Sequence, residues 1–188
     1  MVNSGKRKVN SDPPSSRQTG LRRGKKAQRH KETEMIRKAR IGDVKKIHKI
    51  LSAYSEQGTV LPRSMSELYD QLRDFVVCVD SADGSIIGTC AMHICWEKIA
   101  EIRSLAVLKA YQGKGIGHEL VHACLQEARQ LEVEQIFVLT YAARYFRKFG
   151  FKKVDKALLP HKVWSDCLKC VKFPDCDEEA LLLDLKKK

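Results

Sequence analysis

Val107-Leu-Lys-Ala-Tyr-Gln112-Gly113-Lys114-Gly115-Ile116-Gly117 leads directly into an amphipathic stretch carrying Leu120, Val121, Cys124, Leu125 and Ala128. An extended apolar run therefore ends in a glycine-rich loop, and the loop opens a helix. Glycines permit positive φ and let the backbone approach a ligand closely. The first turn of the helix then offers unsatisfied N–H groups and a positive dipole end to an anion such as a pyrophosphate. Two better-known phosphate loops do not fit. A P-loop ends in Gly-Lys-Ser/Thr, and the dinucleotide fingerprint spaces its glycines differently and needs an acid about 20 residues on.

Upstream of the loop the pattern is rich in strands. Ile86–Trp96 and Ile99–Leu108 read as neighbouring strands joined by a tight polar connection at Glu97-Lys98. The run 75–80 precedes them, with Asp83-Gly84 as the hairpin turn. Earlier still, Met35–Arg40 reads as a short strand. Asp43 is a candidate cap for a helix with the stripe Val44, Ile47, Ile50 and Leu51, and a shorter helix is expected from Ser64 to Leu72. Downstream, Gln135–Leu139 reads as a strand, and Glu178–Leu185 as a last strand after a polar break.

The chain has 188 residues, a size for one compact core, and no apolar run approaches the roughly 20 residues that cross a bilayer. Ten of the 35 Lys and Arg but only three of the 23 Asp and Glu fall within residues 1–34, so the tail carries more than half of the formal charge of +12. With no aromatics and few aliphatics, residues 1–34 are expected to be a disordered basic tail, and residues 35–188 the folded domain. The tail lacks the apolar stretch of a secretory signal, and a transit peptide is the weaker alternative. Arg22, Arg23, Lys25, Lys26 and Arg29 could give it weak nucleic-acid contact through counterion release, although a solvated extension is the preferred reading. Seven cysteines, an odd number, without an export signal imply a reducing, cytoplasmic compartment.

Gln112, Gly115 and Gly117 match the Gln/Arg-x-x-Gly-x-Gly/Ala signature by which the chain resembles the GCN5-related N-acetyltransferases (GNAT). Tyr145-Phe-Arg-Lys-Phe-Gly150-Phe151 is similar to the aromatic, x, Lys, x, Gly, Phe ending of the same family. The resemblance covers essentially all of residues 35–185. It implies an α/β (α+β) fold with a mixed, mostly antiparallel central sheet, splayed between its fourth and fifth strands and flanked by helices. It also implies acetyl-CoA as co-substrate. Leu105, Ala106 and Val107 would hold the pantetheine arm, with Leu105 and Val107 using their main chain, and Gln112, Gly113, Lys114, Gly115, Ile116 and Gly117 would hold the pyrophosphate.

Transfer to an amine needs a base, because an ammonium must lose a proton before its nitrogen can attack a thioester. Glu101 is the candidate. Alternation along the strand is expected to put Glu101, Arg103, Leu105 and Val107 on one face. The alternative for Glu101 is simple pairing with Arg103 or Lys98. A main-chain N–H near Leu105 to Val107 would serve the oxyanion. Many relatives carry at the position of Phe146 a Tyr that protonates the leaving thiolate. Phe146 lacks that proton, and Tyr145 or Tyr141 is left as a substitute.

Leu61-Pro-Arg63-Ser, Glu101-Ile-Arg103-Ser-Leu-Ala-Val107 and Leu159-Pro-His161-Lys162-Val-Trp164 look more specifically like the short, single-domain N-acetylglutamate synthases that open arginine biosynthesis. Arg63, Arg103 and Lys162 are the cations available for the two carboxylates of L-glutamate. Other amino acids, small amines, a protein N-terminus, or a non-catalytic RNA-associated acetyl-CoA-binding role are the alternatives, and a homodimer is left open. No metal is expected for the reaction. His161, Cys167, Cys170 and Cys176 are the one candidate zinc set, with packed thiols preferred because the second cysteine pair is incomplete. Cys78, Cys90, Cys95 and Cys124 read as core filler, and His93 as a neighbour of the site.

Overall fold

In the computed structural model, residues 34–159, 168 and 175–186 are described. The elements run β1 (Glu34–Lys38), α1 (Val44–Ser55), α2 (Met65–Asp70), β2 (Phe75–Asp80), β3 (Ile86–Trp96), β4 (Ile99–Val107), α3 (Ile116–Gln130), β5 (Gln135–Thr140), α4 (Ala143–Phe146), β6 (Lys152–Lys153) and β7 (Glu179–Asp184). They form one seven-stranded sheet in the order β1-β2-β3-β4-β5-β7-β6. Every neighbouring pair is antiparallel except β4 with β5. The expected mixed sheet and its flanking helices are present.

The two faces of the sheet are covered by different helices. Val44, Ile47, Ile50 and Leu51 of α1 and Leu68 of α2 pack on Phe75, Val77, Ala91 and Ala106. Leu120, Val121, Cys124, Leu125 and Ala128 of α3 pack on Val76, Cys90, Met92 and Ile102, with Phe146 of α4 at the margin. Strand residues thus alternate between two apolar layers, which is why β2 and the first part of β3 read as nearly unbroken apolar runs.

The splay is visible in the register. β4 and β5 pair only at Ile99 with Gln135, Ala100 with Ile136 and Glu101 with Phe137. Among the described residues the edge of β4 facing β5 has no strand partner beyond Glu101.

The expected single face for Glu101, Arg103, Leu105 and Val107 is corrected. Thr89 pairs with Ala106 and Ala91 with Arg103, so two steps on β3 span three on β4. The extra residue makes a bulge in which Ser104 takes φ 54°. Period-two alternation breaks there. Ala106 continues the face of Glu101 and Arg103 and packs with the α1 layer, while Leu105 and Val107 turn to the α3 layer.

Asp43 also acts differently from expectation. A 3₁₀ turn over Ile41–Asp43 precedes α1, and the Asp43 side chain makes no cap bond to α1. Its carboxylate takes the guanidinium of Arg37 at 2.5 and 3.1 Å and the N–H of Arg40 at 2.8 Å. An arginine on the neighbouring strand outcompetes the helix for the carboxylate because a charged, forked donor binds it more strongly than a neutral N–H. At α2 the cap is local, and the helix expected from Ser64 to Leu72 runs over Met65–Asp70. Ser64 caps the helix, its Oγ accepting from the N–H of Glu67 at 3.2 Å while its own N–H donates to Oε2 of Glu67 at 2.7 Å.

Candidate active site

The glycine loop sits where β4 ends and α3 begins. Gly113 and Gly115 have φ of 75° and 93°, and Gly115 is the residue from which α3 starts. A side chain at Gly115 would be strained in that conformation, and glycine frees the first-turn N–H groups of α3 to point outward. At Gly117 the constraint is space, because a Cβ would lie 2.8 Å from the Tyr145 hydroxyl. The Tyr145 oxygen is buried and has no hydrogen-bond partner among the described residues. Burial pushes its pKa up to about 12.

Side chains on both sides brace the loop. Nε2 of Gln112 donates to the Val107 carbonyl at 3.0 Å and to the Tyr54 hydroxyl at 2.8 Å. Tyr111 donates to Oδ2 of Asp80 at 2.8 Å, and Nζ of Lys114 lies 4.7 Å from the centre of the Tyr111 ring. Gln112 is therefore engaged with the protein itself. Ile116 is 2% exposed and belongs to the core, so only its main chain faces the loop.

Below the loop, at the point where β4 and β5 part, lies a cavity of about 300 Å³ whose walls include Arg63, Glu101, Arg103, Tyr141, Phe146 and Glu178. Three of the residues expected from sequence, Arg63, Glu101 and Arg103, meet there although they come from a loop and from β4. The Arg103 side chain is 5% exposed. It donates from Nη1 to Oε2 of Glu101 at 3.2 Å and from Nη2 to Oε1 of Gln71 at 2.9 Å. Asp74 lies 3.9 Å from the same Nη2, and its carboxylate contacts Nδ1 of His93 at 2.6 Å. A chain of polar contacts thus runs from Glu101 through Arg103 and Asp74 to His93. Arg63 is 12% exposed and lies 3.8 Å from Oε1 of Glu67.

Leu105 lines the cavity, whereas the Ala106 side chain is buried in the α1 layer. Leu108, the residue after β4, donates its N–H to Ile87 on β3. By alternation the main-chain groups of Val107, on the loop side of the bulge, point the other way, toward the splay. The Val107 carbonyl is taken by Tyr54 and Gln112, so of the Val107 main-chain groups the N–H is the one left toward the splay. Tyr141 and Phe146 line the cavity, while Tyr145 packs under Gly117. The Tyr141 hydroxyl bonds to the Asp177 carboxylate.

His161, Lys162, Cys167 and Cys170 lie outside the described residues. Cys176 is half-buried, with its thiol 3.8 Å from Oε2 of Glu178. Among the described residues no group of three or more His, Cys, Asp or Glu is placed to hold a metal ion. No described helix is long and apolar enough to cross a membrane. Sequence reasoning missed Tyr54, Gln71, Asp74 and Glu178. Each stands in an ordinary helix, turn or strand-flanking context, and no spacing signal separates it from a surface residue.

A sheet parted beside a helix-opening glycine loop leaves a main-chain edge and first-turn N–H groups beside a cavity. The chain belongs to the acetyltransferase (GNAT) family, whose model matches residues 45–151. It is an acetyl-CoA-dependent N-acetyltransferase. An uncharacterised N-acetyltransferase of Chlorobaculum tepidum is 38% identical over 150 residues, which cover 80% of this chain and 96% of that protein. An amino-acid acetyltransferase of Mycobacterium tuberculosis is 32% identical, over 70% of this chain and 76% of its own length. Among solved structures, N-acetylglutamate synthase from Neisseria gonorrhoeae, complexed with coenzyme A and N-acetyl-glutamate, superposes with a TM-score of 0.73 at 26% identity. That match covers 81% of this chain and 35% of the synthase.

The residues present fit acetyl-CoA. Two positive-φ glycines and the start of α3 would supply N–H groups for the pyrophosphate, and the edge of β4 beyond Glu101 would supply main-chain partners for the pantetheine amides.

Proposed function

We propose that the acceptor is the α-amino group of L-glutamate, which makes the reaction the first step of arginine biosynthesis. The observation that supports this reading is the presence of two guanidinium groups, Arg63 and Arg103, on the walls of the same cavity as Glu101. A doubly carboxylated amino acid needs separate cations and, near its nitrogen, a carboxylate. Arg63 and Arg103, joined by Lys162 from the segment after Leu159, bind the acceptor's carboxylates, and forked donors hold them in one orientation. Acetyl-CoA supplies the electrophilic thioester carbonyl. Glu101, steadied by Arg103, takes the proton of the acceptor ammonium directly or through a water. The N–H of Val107 stands on the open edge of β4, where it can stabilise negative charge developing on the carbonyl oxygen.

The relatives named above add weight to an amino-acid acceptor, since one is an amino-acid acetyltransferase and one an N-acetylglutamate synthase. The test is release of free CoA on mixing the purified protein with acetyl-CoA and each of glutamate, glutamine, aspartate, lysine, spermidine and an N-terminal peptide. The signal is read with a thiol reagent and corrected for the protein's own cysteines. Release with glutamate well above the rest supports the proposal. Equal or greater release with another amine replaces glutamate as the acceptor.

A further inference from the structure

Tyr54, in the last turn of α1, touches both halves of the site. Its hydroxyl donates to the carbonyl of Val107, the last residue of β4, and accepts from Nε2 of Gln112. The same Nε2 also donates to the Val107 carbonyl. The three groups close a ring. The Gln112 amide and the Tyr54 hydroxyl thus converge on one carbonyl, which ties Gln112 and the loop behind it to β4 and to α1 together.

The main chain of the same residue serves the acceptor side. The Tyr54 carbonyl is one of the last four in α1, which lack helical partners. It accepts twice from Thr59, from the N–H at 3.1 Å and from the hydroxyl at 2.9 Å. Thr59 begins the segment Thr59, Val60, Leu61 and Arg63 that lines the cavity. Between Tyr54 and Thr59 the chain turns through Gly58 at φ 68°. The wall that carries Arg63 is therefore hung from Tyr54, and the side chain of Tyr54 is anchored to the acetyl-CoA loop.

We propose that Tyr54 is a positioning residue coupling the two substrate sites: ordering of the Gln112–Gly117 loop around acetyl-CoA fixes the Tyr54 ring of hydrogen bonds, and through Tyr54 it fixes the Thr59–Arg63 wall against which the acceptor binds. The coupling is local and contiguous, since a single residue makes both sets of bonds. It predicts that the acceptor pocket becomes less mobile when only the co-substrate is bound. The inference needs CoA binding at the loop but not any particular acceptor, so it stands or falls separately from the glutamate reading.

The experiment is hydrogen–deuterium exchange followed by mass spectrometry on the full chain, with and without saturating CoA, in the native protein and in Tyr54→Phe. The phenylalanine keeps the ring packed beside α1 and removes only the hydroxyl, and circular dichroism melting checks that the variant is folded. In the native protein CoA is expected to slow exchange in peptides covering 107–117 and also in those covering 55–63. In Tyr54→Phe the Kd for CoA, from calorimetry, is expected to rise about threefold to tenfold, as for one or two lost hydrogen bonds. At saturation the slowing persists over 107–117 and disappears over 55–63. Two results overturn the proposal: no CoA-dependent slowing over 55–63 in the native protein, or the same slowing in the variant. A residue that merely packed α1 would change the exchange of 55–63 equally with and without CoA.

Discussion

Nη1 of Arg103 lies 3.2 Å from Oε2 of Glu101, two positions earlier on β4 and on the same face of the sheet. The pair faces the cavity at the place where β5 leaves. The guanidinium is itself held by Gln71 and approached by Asp74. The carboxylate is therefore fixed by a group that is fixed in turn, and a general base gains from such preorganisation.

Replacing Glu101 by Gln keeps the shape and removes the proton acceptor. Initial rates of CoA release at saturating substrates are expected to fall by about a hundredfold to ten-thousandfold, while the Kd for CoA stays within about threefold. A variant with more than half of the native kcat would show that Glu101 only pairs with Arg103.

The two arginines are expected to part company. Arg63→Ala should raise the glutamate KM strongly and the acetyl-CoA KM little, and leave the melting temperature nearly unchanged, because its partner Glu67 is half exposed. Arg103→Ala should raise the glutamate KM and also lower the melting temperature. It strips a nearly buried cation from between Glu101 and Asp74. Discounting for the partial exposure of both carboxylates, a loss of about 1–3 kcal/mol is expected. Equal melting temperatures for the two variants would contradict the network, and equal effects on both KM values would remove the arginines from the acceptor site.

The glycine loop before α3 was legible in the sequence because glycine spacing is a local signal, whereas the grouping of Arg63 with Glu101 and Arg103 on one cavity came from the family resemblance and from no local pattern. The bulge at Ser104 was not legible. Nothing in Arg-Ser-Leu-Ala marks the one extra residue that moves Leu105 and Val107 to the α3 face, since the bulge is set by pairing with Thr89 and Ala91 on another strand. Asp43 misled for the same reason. Its pattern is that of a helix cap, but its strongest partner, Arg37, comes from β1. Tyr54 was invisible because its role depends on Gln112, 58 residues away.

Gly117 offers a test of the packing beneath the acetyl-CoA loop. In Gly117→Ala the new methyl would lie 2.8 Å from the Tyr145 oxygen, a contact that forces α3 and α4 apart. The Kd for CoA is expected to rise by more than about tenfold, since overpacking typically costs about 1–3 kcal/mol. Tyr145→Phe alone should not destabilise the protein, because the hydroxyl it removes is buried without a partner among the described residues. The double variant should recover much of the lost affinity, a non-additive result. Additive losses in calorimetric titrations with CoA would show that the Tyr145 oxygen is not the obstacle.

Asp43 should make the protein's stability depend on acid pH. The hydrogen bonds from Arg37 hold its carboxyl below the usual carboxylate range, more strongly than its burial raises it. The sign follows from proton linkage: a carboxyl with a lower pKa in the folded state binds fewer protons there than in the unfolded chain. Its stabilising contribution is therefore complete above the unfolded value near 3.8 and is lost as pH falls through the folded value. Asp43→Asn is expected to cost about 1–2 kcal/mol at pH 7, reduced from the fully buried case because Arg37 is partly exposed. The gap between native and variant in urea melts should hold from pH 7 down to about pH 5 and narrow below pH 4. A gap that is constant down to pH 3 would assign the loss to altered packing at the start of α1 and not to the ion pair.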